Sequence, residues 1–229
     1  MALQRIMQRF ARWHIWLGWL VGFPILMWTV TGLVMVARPI EDVRGEGLLA
    51  EPAAIDTAGL RFPEAIGEPI REARLVQVPG GTPTWVVTAA DGQRWRYSAR
   101  FGTPSPPVVK DEAQGIARAA YGDRSRLASL TYFPAEDAPL DLRRPVASWQ
   151  AHFADGTNLY IDDATGEVLA VRTGGWRLYD VMWGLHIMDL QTREDTSHPI
   201  LIVFAALSMF GATLGCILLF RRRKARVKR

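Results

Sequence analysis

Two long apolar runs bracket a mixed middle. Between Arg12 and Arg38 the stretch WHIWLGWLVGFPILMWTVTGLVMVA carries no charged residue, and Pro199 to Phe220 is equally uncharged. At about 1.5 Å per residue the first run makes a helix of roughly 37 Å, enough to cross a bilayer core of about 30 Å with some tilt. It is longer than the apolar core of a secretory signal and leads into Arg38-Pro39, not into a small-residue cleavage site, so it predicts an uncleaved anchor. Transmembrane helices are expected at 13–37 and 198–220, with 1–12 as an N-terminal segment and 221–229 as a basic tail.

The middle reads as one pattern used twice. After a Gly-, Ala- and acid-rich linker at 38–60, RFPEAIGEPI (61–70) can form a short helix. REARLVQV, TWVVTAA and QRWRYSA follow as alternating runs, the last two joined by Asp91-Gly92. An Asp-Gly pair between alternating runs is a strong hairpin signal. In the second copy KDEAQGIARAAYG predicts a helix with Ala113, Ile116, Ala117 and Ala120 on one face and Gly122 as its stop. Then come SRLASLTYF, ASWQAHFA, the turn Asp155-Gly156, TNLYIDD and GEVLAVR. The copies are placed at 61–104 and 105–174, each a helix followed by antiparallel strands. An amphipathic juxtamembrane segment is expected at 175–197.

Charge adds orientation. Of 27 basic residues, Arg5, Arg9 and Arg12 precede the first run and seven follow the second in RRRKARVKR, with no acid in either tail. The middle keeps 17 basic and all 23 acidic residues, a net of −6. The high pI thus comes from the tails, where a spanning protein keeps its cytoplasmic bases. Nucleic acid is a poor partner for such a distribution. Both termini are expected inside a bacterial inner membrane and the middle outside it, in the periplasm of a Gram-negative cell. The tail could also attract anionic headgroups of the lipid bilayer. The single cysteine, Cys216, lies in the second run, which excludes an intrachain disulfide.

TNLYIDDATGEVLAVR is similar to the terminal hairpin of PepSY domains, a strand, an Asp-x-x-Thr-Gly turn and a strand, carried here by Asp163, Thr165 and Gly166. The whole chain resembles the PepSY-associated transmembrane family. The first span has His14, Gly18, Thr31 and Gly32 at the family's His-x-x-x-Gly and Thr-Gly positions. YDVMWGLHIMDL and FGATLGCILLFRRR match a later part through His186 and Gly215. The resemblance implies a membrane α plus extracytoplasmic α+β fold, two transmembrane helices flanking a tandem PepSY-like domain. Longer members have more spans than the two here.

Four histidines are weighed against this frame. His152 lies on the polar face of a predicted strand, with Ser148 and Gln150, and reads as solvated. His14, Gly18 and Gly22 follow one another at i+4 and form one stripe. Gly18-x-x-x-Gly22 and Gly211-x-x-x-Gly215 permit close helix packing, between the two spans or between two protomers. His14 is then an interface anchor beside Trp13 and Trp16, or an axial ligand of haem b, since some members of the family are haem-b ferric reductases. His186 shares a face with Tyr179, Met182, Trp183 and Leu190, and reads as an interface anchor or a ligand. His198 precedes Pro199 and, with Ser197, suits a helix cap. His14 and the pair His186 and His198 belong to opposite membrane sides, on the order of 30 Å apart, so no single iron can join them within one chain. The routes left are His186 with His198, or a twofold dimer in which His14 and His186 each meet their own copy.

The adjacent carboxylates Asp162-Asp163 and Glu194-Asp195 read as solvated turns. No nucleophile elbow, phosphate loop or HExxH is present. Two functions remain. The first is a non-enzymatic membrane protein whose outer domain binds a periplasmic protein or peptide, in protease regulation or in metal or siderophore uptake; sheet edges would suit an added strand. The second is a haem-b electron-transfer subunit of ferric-siderophore reductase type, as a homodimer or with another membrane subunit. Two spans and four histidines are a minimal kit for the second, which favours the first.

Overall fold

The computed structural model describes residues 2–63 and 66–227. The chain divides into two compact units, one of residues 1–38 with 178–229 and one of residues 39–177. The first holds helix α1 (Ala2–Val36) and helix α5 (Pro199–Val227). Both contain stretches long and apolar enough to cross a membrane, Gln4–Val36 and Pro199–Phe220.

The 39–177 unit contains two four-stranded antiparallel meanders. The first is β1 (Ile70–Gln77), β2 (Pro83–Ala89), β3 (Arg94–Ser98) and β4 (Pro104–Ser105), in that spatial order. The second is β5 (Leu127–Phe133), β6 (Ser148–Phe153), β7 (Asn158–Asp162) and β8 (Val168–Arg172). Their central hairpins are built alike. Ala89 and Gln93 close a loop of Ala90, Asp91 and Gly92; Phe153 and Thr157 close a loop of Ala154, Asp155 and Gly156. In each, the Asp Oδ1 accepts the N–H two residues on, both at 2.9 Å. In each, Gly takes a left-handed φ, 92° and 83°, which a side chain resists. These are three-residue loops ending in a glycine bulge. The first strand of each sheet also shifts register near its start, at Ile70/Glu72 and Leu127/Ser129.

The copies differ in what covers them. Helix α3 (Lys110–Tyr121) lays Ala113, Ile116, Ala117 and Ala120 on the second sheet, against Phe153, Leu159 and Ile161, all nearly inaccessible. Helix α2 (Ile40–Arg44) and the turn after it lie within the stretch expected to be a linker, and place Leu48 and Leu49 on the same core. The helix expected over 61–70 is not present at 61–63 or 66–69, and Glu64 and Ala65 lie outside the described residues. Extended chain lies on the first sheet instead. The Trp85 indole N–H donates to the Arg61 carbonyl and the Phe62 ring meets Trp85 edge-on at 5.2 Å. FPEAIGEP combines two prolines with a glycine, a poor set for even two helical turns.

The turn between β7 and β8 corrects one sequence reading. Asp162, not Asp163, makes it: Asp162 Oδ1 accepts from the N–H groups of Ala164 and Thr165 at 2.8 and 3.0 Å. Asp162 is also not solvated. It is 2% exposed and pairs with Arg94 of β3. Arg74 of β1 reaches Glu167 in the same turn (3.1 Å), and Arg96 of β3 makes a two-bonded pair with Glu112 of α3 (2.6 and 2.8 Å). Three arginines of the first sheet thus hold it to the second copy. Burial raises the Asp163 carboxyl above the ordinary value, opposed by the Trp149 hydrogen bond and the Arg96 charge.

Candidate functional site

Helices α1 and α5 run antiparallel, Gly211 facing Leu17 and Gly215 facing His14. Among the covered positions of α1, His14, Leu17, Val21, Pro24, Trp28 and Thr31 follow one another in alternating steps of three and four. That is a 3.5-residue repeat, the seam of two wound helices. Two successive steps of four overshoot it. This is why the expected stripe of His14, Gly18 and Gly22 is not the contact face. Gly18 and Gly22 are exposed, with open space where a side chain would stand. The glycines of α5 do face α1: a Cβ on Gly211 would sit 3.7 Å from Leu17, and one on Gly215 only 2.9 Å from His14 Cε1.

His14 Nδ1 lies 3.0 Å from the Gly211 carbonyl oxygen. A carbonyl only accepts, so Nδ1 carries the proton and donates it. In a neutral ring this places the lone pair on Nε2. His186 is held at the same ring atom by a different group. Its Nδ1 lies 2.9 Å from Thr31 Oγ1, a hydroxyl that also reaches the Met27 carbonyl at 2.8 Å. A hydroxyl both donates and accepts, so this bond fixes the ring's direction and leaves either tautomer open. A glycine again adjoins the ring, since a Cβ on Gly32 would stand 3.6 Å from His186 Cε1. The Trp28 indole N–H donates to the His186 carbonyl (2.9 Å), a second tie between α1 and α4 (Gly174–Ile187).

Seventeen residues of α1 separate His14 from Thr31, about 26 Å of helix rise. The two imidazoles thus sit at opposite ends of the helix pair. Each presents one oriented nitrogen, fixed from behind by a hydrogen bond, the device that commonly orients a metal-ligating histidine. The Thr31 end also contains His198, which the antiparallel register sets level with Thr31. Its carbonyl accepts the Ile202 N–H at 3.2 Å, so it caps α5 through the backbone; its Nδ1 is buried without a hydrogen bond. His152, by contrast, is exposed on the 39–177 unit and donates to Asn158 Oδ1 (2.7 Å).

The end of α4 sets where His186 points. The Asp189 N–H bonds the Gly184 carbonyl and the Met188 N–H bonds that of Leu185, with Met188 at φ 58°. This is a Schellman stop with methionine at the left-handed position. The helix ends there, so Leu190 is not on the face with Tyr179, Trp183 and His186 expected from sequence; it is exposed. Asp189 then gathers the N–H groups of Gln191, Thr192, Glu194 and Asp195 and the Thr192 hydroxyl. Led by that hydroxyl and helped by the backbone donors, they hold its carboxyl well below the ordinary range. Arg193 pairs with Asp180 and lies across Gly184, where a Cβ would meet it at 2.9 Å. No sequence motif announces this cap. The His14, Leu17, Val21, Pro24, Trp28, Thr31 repeat was countable in the sequence and would have separated His14 from the glycines.

The 39–177 unit carries a groove of about 490 Å³ beside edge strand β1. Leu49, Val76, Val78 and Val168 line it, with Glu51 and Glu167 also on its walls. Among the described residues, no three His, Cys, Asp or Glu side chains converge as a metal site.

A pair of apolar spanning helices with a two-sheet domain between them in sequence defines a membrane protein with a PepSY-type domain. The family model described as "PepSY-associated TM region" matches residues 11–229, and the chain belongs to that family. No curated protein matches the chain. No solved structure matches it.

Proposed function

We propose that this is an inner-membrane protein with both termini cytoplasmic and the 39–177 unit periplasmic. We read it as the haem-b electron-transfer subunit of a ferric-siderophore reductase, working as a dimer. The observation that carries this reading is the matched pair of imidazoles. His14 and His186 are each held by a hydrogen bond at Nδ1, each against a glycine, one near each end of the helix pair. The donor chemistry fits an axial ligand, a neutral nitrogen whose direction is fixed in advance. Haem b, when bound, would supply one-electron transfer. The chain's own residues do the rest: the Gly211 carbonyl and Thr31 hydroxyl hold the rings, and Gly215 and Gly32 leave room for them. One chain offers His14 alone at its end, so a second copy supplies the other ligand there, while His186 has both His198 and its own copy to pair with. The bases in both tails support the orientation.

The test is the absorption spectrum of the full chain expressed with ample haem. A Soret band is expected, and His14→Ala and His186→Ala should each remove about half of it. A colourless protein, or a band untouched by both changes, overturns the reading.

The groove beside β1 favours a second reading, an accessory protein whose outer domain takes an extended segment of a periplasmic partner. In that case Val168→Asp should abolish co-purification of the partner while His14→Ala leaves it intact.

A further inference from the structure

We propose a binding site for one anionic phospholipid on the face of α1 that carries Arg9, Arg12, Trp13, Trp16 and Leu20. An open apolar groove of about 400 Å³ runs between the two spanning helices, lined by Trp13, Trp16, Leu17 and Leu20 of α1 and Phe210 of α5. It belongs to the helix pair alone and is separate from the histidine contacts of the seam. Its lining is almost wholly carbon, and Trp16 is 75% exposed. An apolar slot on a spanning segment is suited to an acyl chain. The helical repeat decides what stands above it. At 100° per residue, Arg9, Trp13, Trp16 and Leu20 fall within about 60° of one another, and Arg12 flanks them. Arg9 and Arg12 are exposed, Arg12 directly before the first groove residue, Trp13, and Arg9 about one turn before it. The chain holds no acid before Glu41, and the sequence beyond the second span, RRRKARVKR, adds seven bases at the same membrane end.

The arrangement follows the order of parts in a phospholipid: cations for the phosphate, indole rings at the ester level, and an apolar trough for one chain. A zwitterionic lipid fits the trough equally but gains less from the arginines. A free phosphate ester gains from the arginines but has nothing for the trough. Charge complementarity therefore selects an anionic lipid over both. This site holds whether or not the histidines bind haem.

The full chain, purified in detergent, is given equimolar phosphatidylglycerol and phosphatidylcholine with the same acyl chains, and the lipids it retains are counted by native mass spectrometry. Phosphatidylglycerol should be retained preferentially. Arg9→Gln and Arg12→Gln should each weaken retention about fivefold, and the double Arg→Lys variant should keep it. Leu20→Trp, which fills the trough, should reduce both lipids. Equal retention of the two lipids, retention unchanged in the double Arg→Gln variant, or full competition by equimolar glycerol 3-phosphate would each overturn the site. Thermal melts of every variant separate lost binding from lost folding.

Discussion

The two sheets of the 39–177 unit share their hairpins and differ in their interiors. Aligning the loops sets Trp85 against Trp149, Ala89 against Phe153, Arg94 against Asn158 and Arg96 against Tyr160. Both tryptophans donate their indole N–H to a carbonyl of chain lying on the sheet, Arg61 in one case and Val108 in the other. Where the second sheet buries Phe153 under α3, the matching position of the first holds the smaller Ala89, beside buried Val86, Val87 and Tyr97. Where the second keeps Tyr160 inside, the first sends Arg96 across to Glu112. One copy packs a helix on its apolar core. The other, without a helix at 61–63, has a smaller apolar interior and adds charged groups that reach its neighbour. The turns match because their chemistry depends on two residues; a core depends on many.

That contrast can be broken by substitution. Phe153→Ala empties the centre of the second sheet and should cost about 3–5 kcal/mol, measured as a shift in chemical unfolding of the full chain followed by signals of the 39–177 unit. Glu112→Ala strands Arg96, which is 7% exposed, and should cost about 3 kcal/mol; Glu112→Gln should recover part of that. If Glu112→Ala proves neutral, the first sheet is not held by its arginines and the comparison fails. Gly92→Ala and Gly156→Ala meet open space, so each should cost only the left-handed strain, about 1–2 kcal/mol. Equal losses would confirm equivalent turns, and a twofold difference would separate them.

The smallest effect concerns acid. Burial would raise the Asp155 carboxyl, but the Thr157 N–H and the Tyr121 and Thr157 hydroxyls outweigh it and lower it. A carboxyl depressed on folding stabilises fully above its unfolded value of about 3.9 and loses that as pH falls through its folded value. Amide exchange at Thr157 should therefore accelerate in that acid window, and Asp155→Asn should remove the dependence.

Much of this fold was legible in short-range chemistry. Both Asp-Gly turns, the α3 face and the two apolar spans needed only periodicity and turn residues. What stayed hidden was long-range. Asp162 looked like a solvated turn carboxylate because its partner, Arg94, is 68 positions earlier. Thr31 and His186 are 155 residues apart, and their hydrogen bond follows from how α4 ends at Met188, a stop without the usual glycine. The candidate site was half legible: its histidines stood out, but i+4 spacing misassigned Gly18 and Gly22, since a seam of wound helices repeats at 3.5.

That outward pair of glycines has a use of its own. Substitution at Gly215 disturbs the chain from within, because His14 already fills the space. A Cβ at Gly18 or Gly22 meets nothing inside the chain within 4 Å. A defect of Gly18→Ala therefore points to a neighbour, lipid or protein. The two spans thus offer one surface written for self-recognition and another that can be altered as a silent reporter of company.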